Sequence, residues 1–476
     1  MDRDFLKSQV LKNFYDISRI PRCSGNEEGI SNYLKDRYGK LGFEIIQDKN
    51  HNLIIKKDGN GLENKSPVVI QSHLDMVCEV AEGFDFDFDN YPIKLALKDG
   101  FLSTDELTTL GADNGIGVAM MMSILDDETA VHPPLEMVFT VEEETTFKGA
   151  YTIDQSHILG KRVINLDNSV ENTIVCGSAG GILVDVFCAL DSAEVEIDLS
   201  TYCLKISGML GGHSGQDVEK GRANAVKVLT GALYRLPSDI LPLSIEAGNN
   251  YNAIPRDAKF YFQADDDLIE NIRNSSSEYL EIIREKYSKE DIDIKIEKSD
   301  RVFENGFSVD TLLKLLNYLM LSPIGINSMD SDLHGVVSSS SNLGKIRMEN
   351  GYVVLSSEIR GSYDFEIEEI VNRICHITDT LGFGIETSGY YPPWRFNPNS
   401  KLLKTALKAY EKFGSKPEIT SLHAGLEAGV LSQKLDTTEI ISIGPTIKYL
   451  HSPLEMVDIE SVDRIYAVLL EILKTV

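Results

Sequence analysis

The sequence predicts an α/β fold that is interrupted by an inserted α+β region. A chain of 476 residues is long enough for two or three domains. Strand and helix patterns alternate over about the first 185 residues, which is typical of an α/β layer. The pattern changes between about residues 183 and 388 and then returns. We therefore assign residues 1–186 and 393–476 to one domain and residues 187–392 to the insertion.

The first part begins with two helical patterns and ends with a strand. An amphipathic stretch covers residues 1–16, and a second helix covers 26–41, with Gly42 as its stop signal. Short runs of β-branched residues then predict strands, and an apolar helix follows them. The predicted strands are 43–46, 53–56, 68–71, 135–141 and 163–166, and the helix is 114–125.

The middle of the chain contains two similar strand–helix–strand units. The first covers 258–265, 268–287 and 292–296, and the second covers 353–359, 365–381 and 382–387. They predict two small α+β lobes, and duplication and chance recurrence of a common unit are equally open. The Pro-rich aromatic segment 390–398 marks a boundary. The patterns after it predict a helix over 401–413, a strand over 440–443 and a helix over 459–474.

Composition excludes several classes of function. Forty-six basic and 74 acidic residues leave a net charge of −28, which disfavours binding to nucleic acid or to an anionic membrane. A hydrophobic content of 42% excludes intrinsic disorder. Neither a membrane-spanning run nor a secretory h-region is recognisable. The six cysteines lie far apart without a CxxC motif, which suits a reducing cytoplasm better than a disulfide scaffold, so we expect a cytoplasmic protein.

A histidine and an aspartate follow the strand pattern 68–71. The string VVIQSHLD places His73 and Asp75 at the carboxyl end of an apolar run, where α/β sheets form ligand sites. Two residues apart on an extended chain, both side chains point to the same side. A metal-binding imidazole commonly donates its second ring N–H to a carboxylate. A hydrogen-bonded core histidine is the commoner explanation of such a pair, so the motif alone is weak.

Asp113 stands in a glycine-rich segment, GADNGIG, at the start of a predicted helix. Gly115 and Gly117 permit a tight turn into that helix. In isolation, Asp113 fits a helix N-cap better than a metal ligand, because a short carboxylate there accepts backbone N–H groups. Both roles stay open at this point.

Three consecutive acids, Glu142, Glu143 and Glu144, follow another apolar strand pattern. Adjacent carboxylates repel one another unless a cation or a proton lies between them. One of them can therefore bind metal while its neighbour acts as a general base; a solvated surface is the alternative. Asp167 ends the strand pattern of INLD, and His451 lies in the distant segment HSPLE.

Taken together, these segments supply two imidazoles and three carboxylates, from His73, Asp113, Glu144, Asp167 and His451. Two Zn²⁺ and one hydroxide would neutralise the three carboxylates. Histidine and carboxylate ligands without thiolates are typical of catalytic zinc sites with open positions. Asp167 and His451 are 284 residues apart, so a shared site requires the intervening residues to form an insertion.

The order of these motifs resembles the dizinc metallopeptidases of family M20. The matching strings are HLD, GADNGIG, the acidic run before TTFKGA, INLD and HSPLE. Three further segments resemble the aminoacyl-histidine dipeptidase branch, also called peptidase D or Xaa-His dipeptidase: GGHSG with the nearby GRANA, HGVVSSSSNLG, and HAGLEAG. The resemblance implies a zinc-peptidase-like catalytic domain with a central mixed sheet, interrupted by an inserted α+β lid domain of two lobes.

The resemblance also implies roles for individual residues. Asp113 would bridge two metal ions, Asp75 would be the partner of His73, and Glu143 would be the general base. The implied metal ligands are His73, Asp113, Glu144, Asp167 and His451.

Two departures from the family pattern leave the pair of glutamates open to a shift by one place. Glu142 adds a third acid, and Thr145-Thr146 stands where the family commonly has a glycine.

Four residues resemble substrate contacts of the family. In the insertion these are His213, Asn252 and Arg360, and Gly425 of HAGLE lies in the last part. The glycines around His213 also fit a simple turn, as does the segment of Asn252, and Arg360 could merely pair with an acid. An arginine is suited to a bidentate contact with the terminal carboxylate of a peptide.

We therefore expect a metal-dependent dipeptidase acting on Xaa-His dipeptides of the carnosine type. A water activated by two zinc ions would attack the peptide bond, with Glu143 as general base. Co²⁺ or Mn²⁺ could replace Zn²⁺ at such ligands. A broader dipeptidase, an N-acyl amino-acid hydrolase, and a non-catalytic metal- or peptide-binding protein are the alternatives. The expected partner is a small peptide, without nucleic acid or membrane, and the resemblance implies a homodimer.

Overall fold

The computed structural model describes residues 6–237 and 239–476, which divide into two compact units. The first unit contains the described residues up to Ser178, together with Trp394–Ser421 and Leu426–Val476. The second unit contains Ala179–Pro393 and Leu422–Gly425. The predicted insertion, residues 187–392, falls within the second unit. The first five residues of the predicted helix 1–16 lie outside the described residues.

The helices and strands are numbered in chain order. The helices are α1 (Gln9–Ile17), α2 (Glu28–Gly39), α3 (Ala112–Asp126), α4 (Lys148–Thr152), α5 (Ala225–Leu233), α6 (Asp266–Lys286), α7 (Val309–Leu321), α8 (Asp364–Leu381), α9 (Lys401–Lys412), α10 (Glu427–Leu435) and α11 (Ile459–Thr475). The strands are β1 (Glu44–Gln47), β2 (Leu53–Lys57), β3 (Val68–His73), β4 (Ala96–Lys98), β5 (Phe101–Ser103), β6 (Leu135–Thr140), β7 (Arg162–Asn165), β8 (Thr173–Ser178), β9 (Gly180–Ala189), β10 (Ser192–Glu194), β11 (Ser200–Ser207), β12 (Gly212–His213), β13 (Leu241–Ala247), β14 (Ala253–Ile254), β15 (Ala258–Ala264), β16 (Asp293–Lys298), β17 (Asn305–Phe307), β18 (Gly325–Met329), β19 (Val337–Glu349), β20 (Tyr352–Gly361), β21 (Gly384–Tyr391), β22 (Glu418–Leu422), β23 (Ile440–Ser442), β24 (Ile447–Lys448) and β25 (Met456–Asp458).

The first unit is built on an eight-stranded mixed sheet. Its strand order is β1-β2-β6-β3-β7-β23-β8-β22. The pairs β3–β6, β3–β7 and β7–β23 are parallel, whereas β1–β2, β2–β6 and β23–β8 are antiparallel. Every residue of β3 and β6 is buried, as expected for central parallel strands covered on both faces. The predicted α/β class with a central mixed sheet is confirmed.

Helix α3 packs closely on this sheet because of its glycines. A Cβ added at Gly117 would collide with the hydroxyl of Ser72, which lies in β3, and with the backbone oxygen of Leu166, which directly follows β7. The helix therefore needs glycine at this position to lie close to the ends of β3 and β7. This packing places the first turn of α3 beside the carboxyl ends of the central strands.

The second unit is built on a nine-stranded sheet. Its order is β16-β11-β15-β13-β19-β20-β9-β21, with β18 beside β19. Both predicted strand–helix–strand units are present, as β15–α6–β16 and β20–α8–β21. In the sheet, β11 lies between β15 and β16, and β9 lies between β20 and β21. The two predicted lobes thus share one continuous sheet, and their similar topology leaves both duplication and chance recurrence open.

A disulfide joins Cys23 to Cys78 in the first unit, across 55 residues of sequence. A backbone bridge between Cys23 and Met76 brings the two segments together. The spacing of the cysteines did not predict this bond, because the pairing depends on a tertiary contact. Among the described residues, no helix is long and apolar enough to cross a membrane.

Candidate metal centre

The carboxyl ends of three neighbouring strands bring three of the predicted ligands to one edge of the first unit's sheet. In the parallel register, His73 at the end of β3 lies opposite Thr140 of β6, and Gln71 lies opposite Asn165 of β7. The acidic run begins two residues after the end of β6, and Asp167 likewise follows β7 by two residues. Parallel strands that end at the same edge explain why residues far apart in sequence meet here.

The aspartate of the GADNGIG segment lies between two histidines. One oxygen, Asp113 Oδ1, is 3.2 Å from His73 Nε2, and the other, Oδ2, is 3.4 Å from His451 Nε2. The N-cap position of α3 is Gly111, and Asp113 itself has non-helical backbone angles inside the first turn. The carboxylate therefore faces the two imidazoles instead of capping the helix, and each of its oxygens is directed to a different histidine.

Two more carboxylates complete the cluster. Asp167 Oδ1 is 3.4 Å from His73 Nε2, and Glu144 Oε2 is 3.0 Å from His451 Nε2. Three groups have potential ligand atoms within 4.8 Å of one another: His73 with Asp113 and Asp167, His73 with Glu143 and Glu144, and Asp113 with Glu144 and His451. All five predicted ligands belong to at least one group.

The chemistry of this cluster fits divalent metal ions. Glu144 Oε1 is buried and accepts no hydrogen bond from any described residue. An unsatisfied buried carboxylate oxygen is costly unless a cation binds it. The donors are imidazole nitrogens and carboxylate oxygens, which suit Zn²⁺, Co²⁺ or Mn²⁺.

The charges of the cluster perturb its pKa values strongly. Hydrogen bonds to Asp113 and Glu144 raise the pKa of His451 to about 10. Burial lowers the pKa of His73, but Asp167 and its other acidic neighbours outweigh burial and raise that pKa well above its ordinary value. Burial, together with the charge of Asp113, raises the pKa of Asp167 to about 7. Without a metal ion, the carboxylates thus hold protons on groups that a metal would need deprotonated.

Asp75 connects His73 to the acidic turn. This fully buried carboxylate lies 3.3 Å from His73 Nδ1 and accepts the Ser24 hydroxyl at 2.8 Å. It also accepts the backbone N–H groups of Glu143 at 3.0 Å and Glu144 at 3.1 Å. The same side chain can therefore orient the imidazole and fix the backbone that bears both glutamates.

The three consecutive glutamates have different surroundings. Glu142 forms an ion pair with Lys148, and its own N–H donates to Glu27 at 3.0 Å. Glu143 and Glu144 face His73 instead. Burial raises the pKa of Glu143 well above its ordinary value, and the nearby acids add to the shift. This geometry favours the pair Glu143 and Glu144 over a pair shifted by one place.

The substrate contacts implied by the resemblance lie in the second unit. Arg360 Nη2 is 2.7 Å from Glu358 Oε2, and its Nη1 donates to the Tyr391 hydroxyl at 2.7 Å. Its Nε is buried and forms no hydrogen bond within the described chain. The predicted alternative, pairing with an acid, is thus present, and one donor of the guanidinium is still available.

The other three predicted contacts lie in or beside loops of the second unit. The His213 ring accepts the N–H of Gly215 through Nδ1 at 3.1 Å, so its Nε2 stays available. Burial and the charge of Arg360 lower the pKa of His213, which keeps the imidazole neutral. The carbonyl of Asn252 accepts the N–H of Ser214 at 2.8 Å, and Gly425 is half-buried before α10.

Several buried charged residues near the metal centre were missed. Glu427 accepts Gln71 Nε2 at 2.8 Å and the Thr140 hydroxyl at 2.5 Å, and burial raises its pKa to about 8. Glu455 and Arg22 are also buried beside the ligand loops. Both glutamates lie within quoted motifs, HAGLEAG and HSPLE, whereas nothing in the pattern around Arg22 marked it.

Comparison with known proteins gives consistent matches. A model of peptidase family M20/M25/M40 matches residues 69–475. The cytosol non-specific dipeptidase of Escherichia coli (strain K12) is 32% identical over 471 residues, covering 97% of this chain and 96% of that protein. The crystal structure of an aminoacylhistidine dipeptidase from Vibrio alginolyticus is 30% identical, with a TM-score of 0.91 over 100% of this chain and 98% of that one. An aminopeptidase from Bacillus cereus, 16% identical with a TM-score of 0.57 over 100% and 98% of the two chains, shares the fold.

Proposed function

The chain belongs to peptidase family M20/M25/M40, as its motifs predicted, and we propose that it is a dipeptidase that cleaves dipeptides with a carboxy-terminal histidine. Two similar proteins, named a cytosol non-specific dipeptidase and an aminoacylhistidine dipeptidase, support hydrolysis of dipeptides. The observation that carries metal-dependent hydrolysis is the position of Asp113, whose two oxygens face His73 and His451 at 3.2 and 3.4 Å. The preference for a carboxy-terminal histidine is supported by the similarity to the aminoacylhistidine dipeptidase.

Five residues would hold two Zn²⁺ ions in this proposal. Asp113 would contribute to both sites, His73 and Asp167 to one, and Glu144 and His451 to the other. The groups of ligand atoms around His73 and around His451 support this division. Ions held there would lower the pKa of a water and polarise the scissile carbonyl. Co²⁺ and Mn²⁺ suit the same donors.

Glu143 is the general base. It takes a proton from the attacking water and returns it to the leaving amine. Its burial and its raised pKa suit a carboxyl group that must both take up and release a proton. Asp75 keeps the backbone N–H of Glu143 fixed at 3.0 Å and thereby orients the base.

His213, Asn252, Arg360 and Gly425 of the second unit bind the peptide. The available Nε of Arg360 suits a carboxylate, although Glu358 already occupies part of the guanidinium. His213, kept neutral, can donate a hydrogen bond to the oxyanion. In this proposal the inserted residues 187–392 form the lid domain.

A broader dipeptidase is the second candidate, because the relative from Escherichia coli is named non-specific. An N-acyl amino-acid hydrolase is a further alternative, whereas membership of the peptidase family and similarity to two dipeptidases support an enzyme over the non-catalytic metal- or peptide-binding protein. The buried general base favours an enzyme over a binding protein. A cytoplasmic location, supported by the cytosolic relative, and a homodimer complete the proposal.

Hydrolysis of a substrate panel tests the proposed specificity. The purified chain is assayed with β-Ala-His, Leu-His, Leu-Leu and N-acetyl amino acids, before and after chelation, with metal content measured in parallel. We expect the Xaa-His substrates to be cleaved fastest and cleavage to cease after chelation. Equal rates on Leu-Leu would replace the proposed specificity with the broader one, and activity that survives complete chelation would contradict the metal mechanism.

A further inference from the structure

We propose that Glu455 is a positioning residue that fixes the loop carrying Asp113 relative to the loop carrying His451. It touches no substrate in this role and acts through the two metal ligands. The inference rests on the proposed metal centre, and it assigns a role to a residue that no ligand set includes.

The carboxylate of Glu455 accepts four consecutive backbone N–H groups. Its Oε2 accepts those of Leu110 at 2.8 Å and Gly111 at 2.9 Å. Its Oε1 accepts those of Ala112 at 2.8 Å and Asp113 at 3.3 Å. The side chain is only 2% exposed, so these N–H groups replace its water shell. One side chain therefore sets the backbone path of the whole segment before and including Asp113.

Glu455 is also close in sequence to His451. Glu455 follows His451 by four residues, and its N–H donates to the Ser452 carbonyl at 3.0 Å in a tight turn. A displacement of the Glu455 carboxylate would thus change the 3.4 Å separation between His451 Nε2 and Asp113 Oδ2. Because the two loops lie more than 300 residues apart in sequence, chain connectivity alone does not fix that separation.

Arg22 connects this arrangement to the third ligand loop. Its buried guanidinium donates through Nη1 to the carbonyls of Leu74 at 3.1 Å and Asp75 at 3.2 Å. Its Nη2 donates to the carbonyl of Gly111, the residue whose N–H binds Glu455. The segment after His73 is therefore tied to the Asp113 loop by a cation, while an anion ties that loop to the segment after His451.

Glu136 provides a matched control within the same unit. It is also buried, at 3% exposure, and among the described residues it accepts hydrogen bonds only from backbone N–H groups, those of Leu159 at 3.0 Å and Gly160 at 2.8 Å. It belongs to β6 at the end opposite to the acidic run. Loss of its carboxylate removes hydrogen bonds of the same kind, from two backbone N–H groups instead of four, without reaching the ligand loops.

The test compares Glu455→Gln with Glu136→Gln. In either variant, the NH₂ group of the glutamine faces backbone N–H groups and cannot accept hydrogen bonds from them. We measure Zn²⁺ affinity and stoichiometry by competition with a chromophoric chelator, thermal unfolding of the metal-free chain, and kcat at saturating Zn²⁺. Residues that support metal ligands typically change metal affinity by about 10- to 100-fold.

We expect Glu455→Gln to lose affinity in that range, while Glu136→Gln unfolds at lower temperature yet binds Zn²⁺ like the wild type. Arg22→Lys keeps the positive charge but loses the guanidinium whose two NH₂ groups donate to different loops, so it is expected to weaken Zn²⁺ binding in the same way. This variant is used in place of Glu455→Gln if Glu455→Gln does not fold. Equal affinities in wild type and in the folded variants, or an equal loss in Glu136→Gln, would overturn the positioning role alone. A wild type that binds no Zn²⁺ would instead overturn the proposed metal centre.

Discussion

Replacing Asp75 by asparagine is expected to weaken metal binding and catalysis while the chain stays folded. Asparagine keeps the size of the side chain but has one acceptor oxygen instead of two. In the native arrangement, one oxygen lies 3.3 Å from His73 Nδ1 and accepts the Glu143 N–H, and the other accepts the Glu144 N–H and the Ser24 hydroxyl. Whichever way the amide turns, its NH₂ group faces one backbone N–H of the acidic turn.

The contacts of Asp75 set the expected losses of unfolding free energy and of metal affinity. One buried N–H left without an acceptor costs about 1–3 kcal/mol of unfolding free energy. Support of a ligating histidine is typically worth about 10- to 100-fold in metal affinity or activity. Because His73 Nδ1 also lies 3.1 Å from the backbone oxygen of Asp75, which the substitution retains, we expect the lower end of that range.

Metal affinity, kcat and thermal unfolding of Asp75→Asn separate these contributions. Asp458→Asn is the control, because Asp458 caps α11 through the N–H groups of Glu460 and Ser461 and asparagine is also a good cap. We expect the control to retain affinity and kcat. A folded Asp75→Asn variant with both quantities within twofold of wild type would refute the coupling between Asp75, His73 and the acidic turn.

Two other substitutions test separate parts of the site. Glu143→Gln, checked to retain its metal, should lower kcat by about 10²- to 10⁴-fold, the usual contribution of a general base, and a near wild-type kcat would rule out this role. Glu427→Gln should flatten the pH dependence of the unfolding free energy of the metal-free chain. Burial raises the pKa of Glu427 in the folded state to about 8, so the folded state binds a proton that the unfolded state has lost. The unfolding free energy of the wild type therefore falls as the pH rises from the unfolded pKa to about 8. Denaturant unfolding at pH 5 and pH 9 measures the difference in unfolding free energy between the two pH values. The same difference in the variant as in the wild type would show that Glu427 does not cause the pH dependence.

The fold class and the proximity of the predicted ligand side chains could be inferred from local patterns. Apolar runs ending in HLD, in the acidic run and in INLD predicted strands with polar ends, and the parallel register of β3, β6 and β7 brings those ends together. Whether the Asp113 carboxylate caps the helix or faces the two histidines was not predictable, because it depends on the direction of one side chain inside the first turn of α3.

Residues that act through tertiary contacts were beyond the sequence patterns. Arg22 binds three backbone carbonyls from two distant loops, and backbone acceptors leave no mark in a sequence. The disulfide between Cys23 and Cys78 likewise depends on a bridge between segments 55 residues apart. Glu427 and Glu455 stood inside recognised motifs, but only their burial distinguishes them from surface acids.

The metal content of the active enzyme tests the bridging role of Asp113 most directly. Zn²⁺ per chain is measured by mass spectrometry, together with dipeptide hydrolysis, for the wild type and for Asp113→Asn. We predict two ions per active wild-type chain, and loss of at least one ion together with activity in Asp113→Asn, because its carboxylate faces both His73 and His451. A fully active wild type with one ion or none, or an Asp113→Asn variant that retains two ions and full activity, would contradict the shared carboxylate.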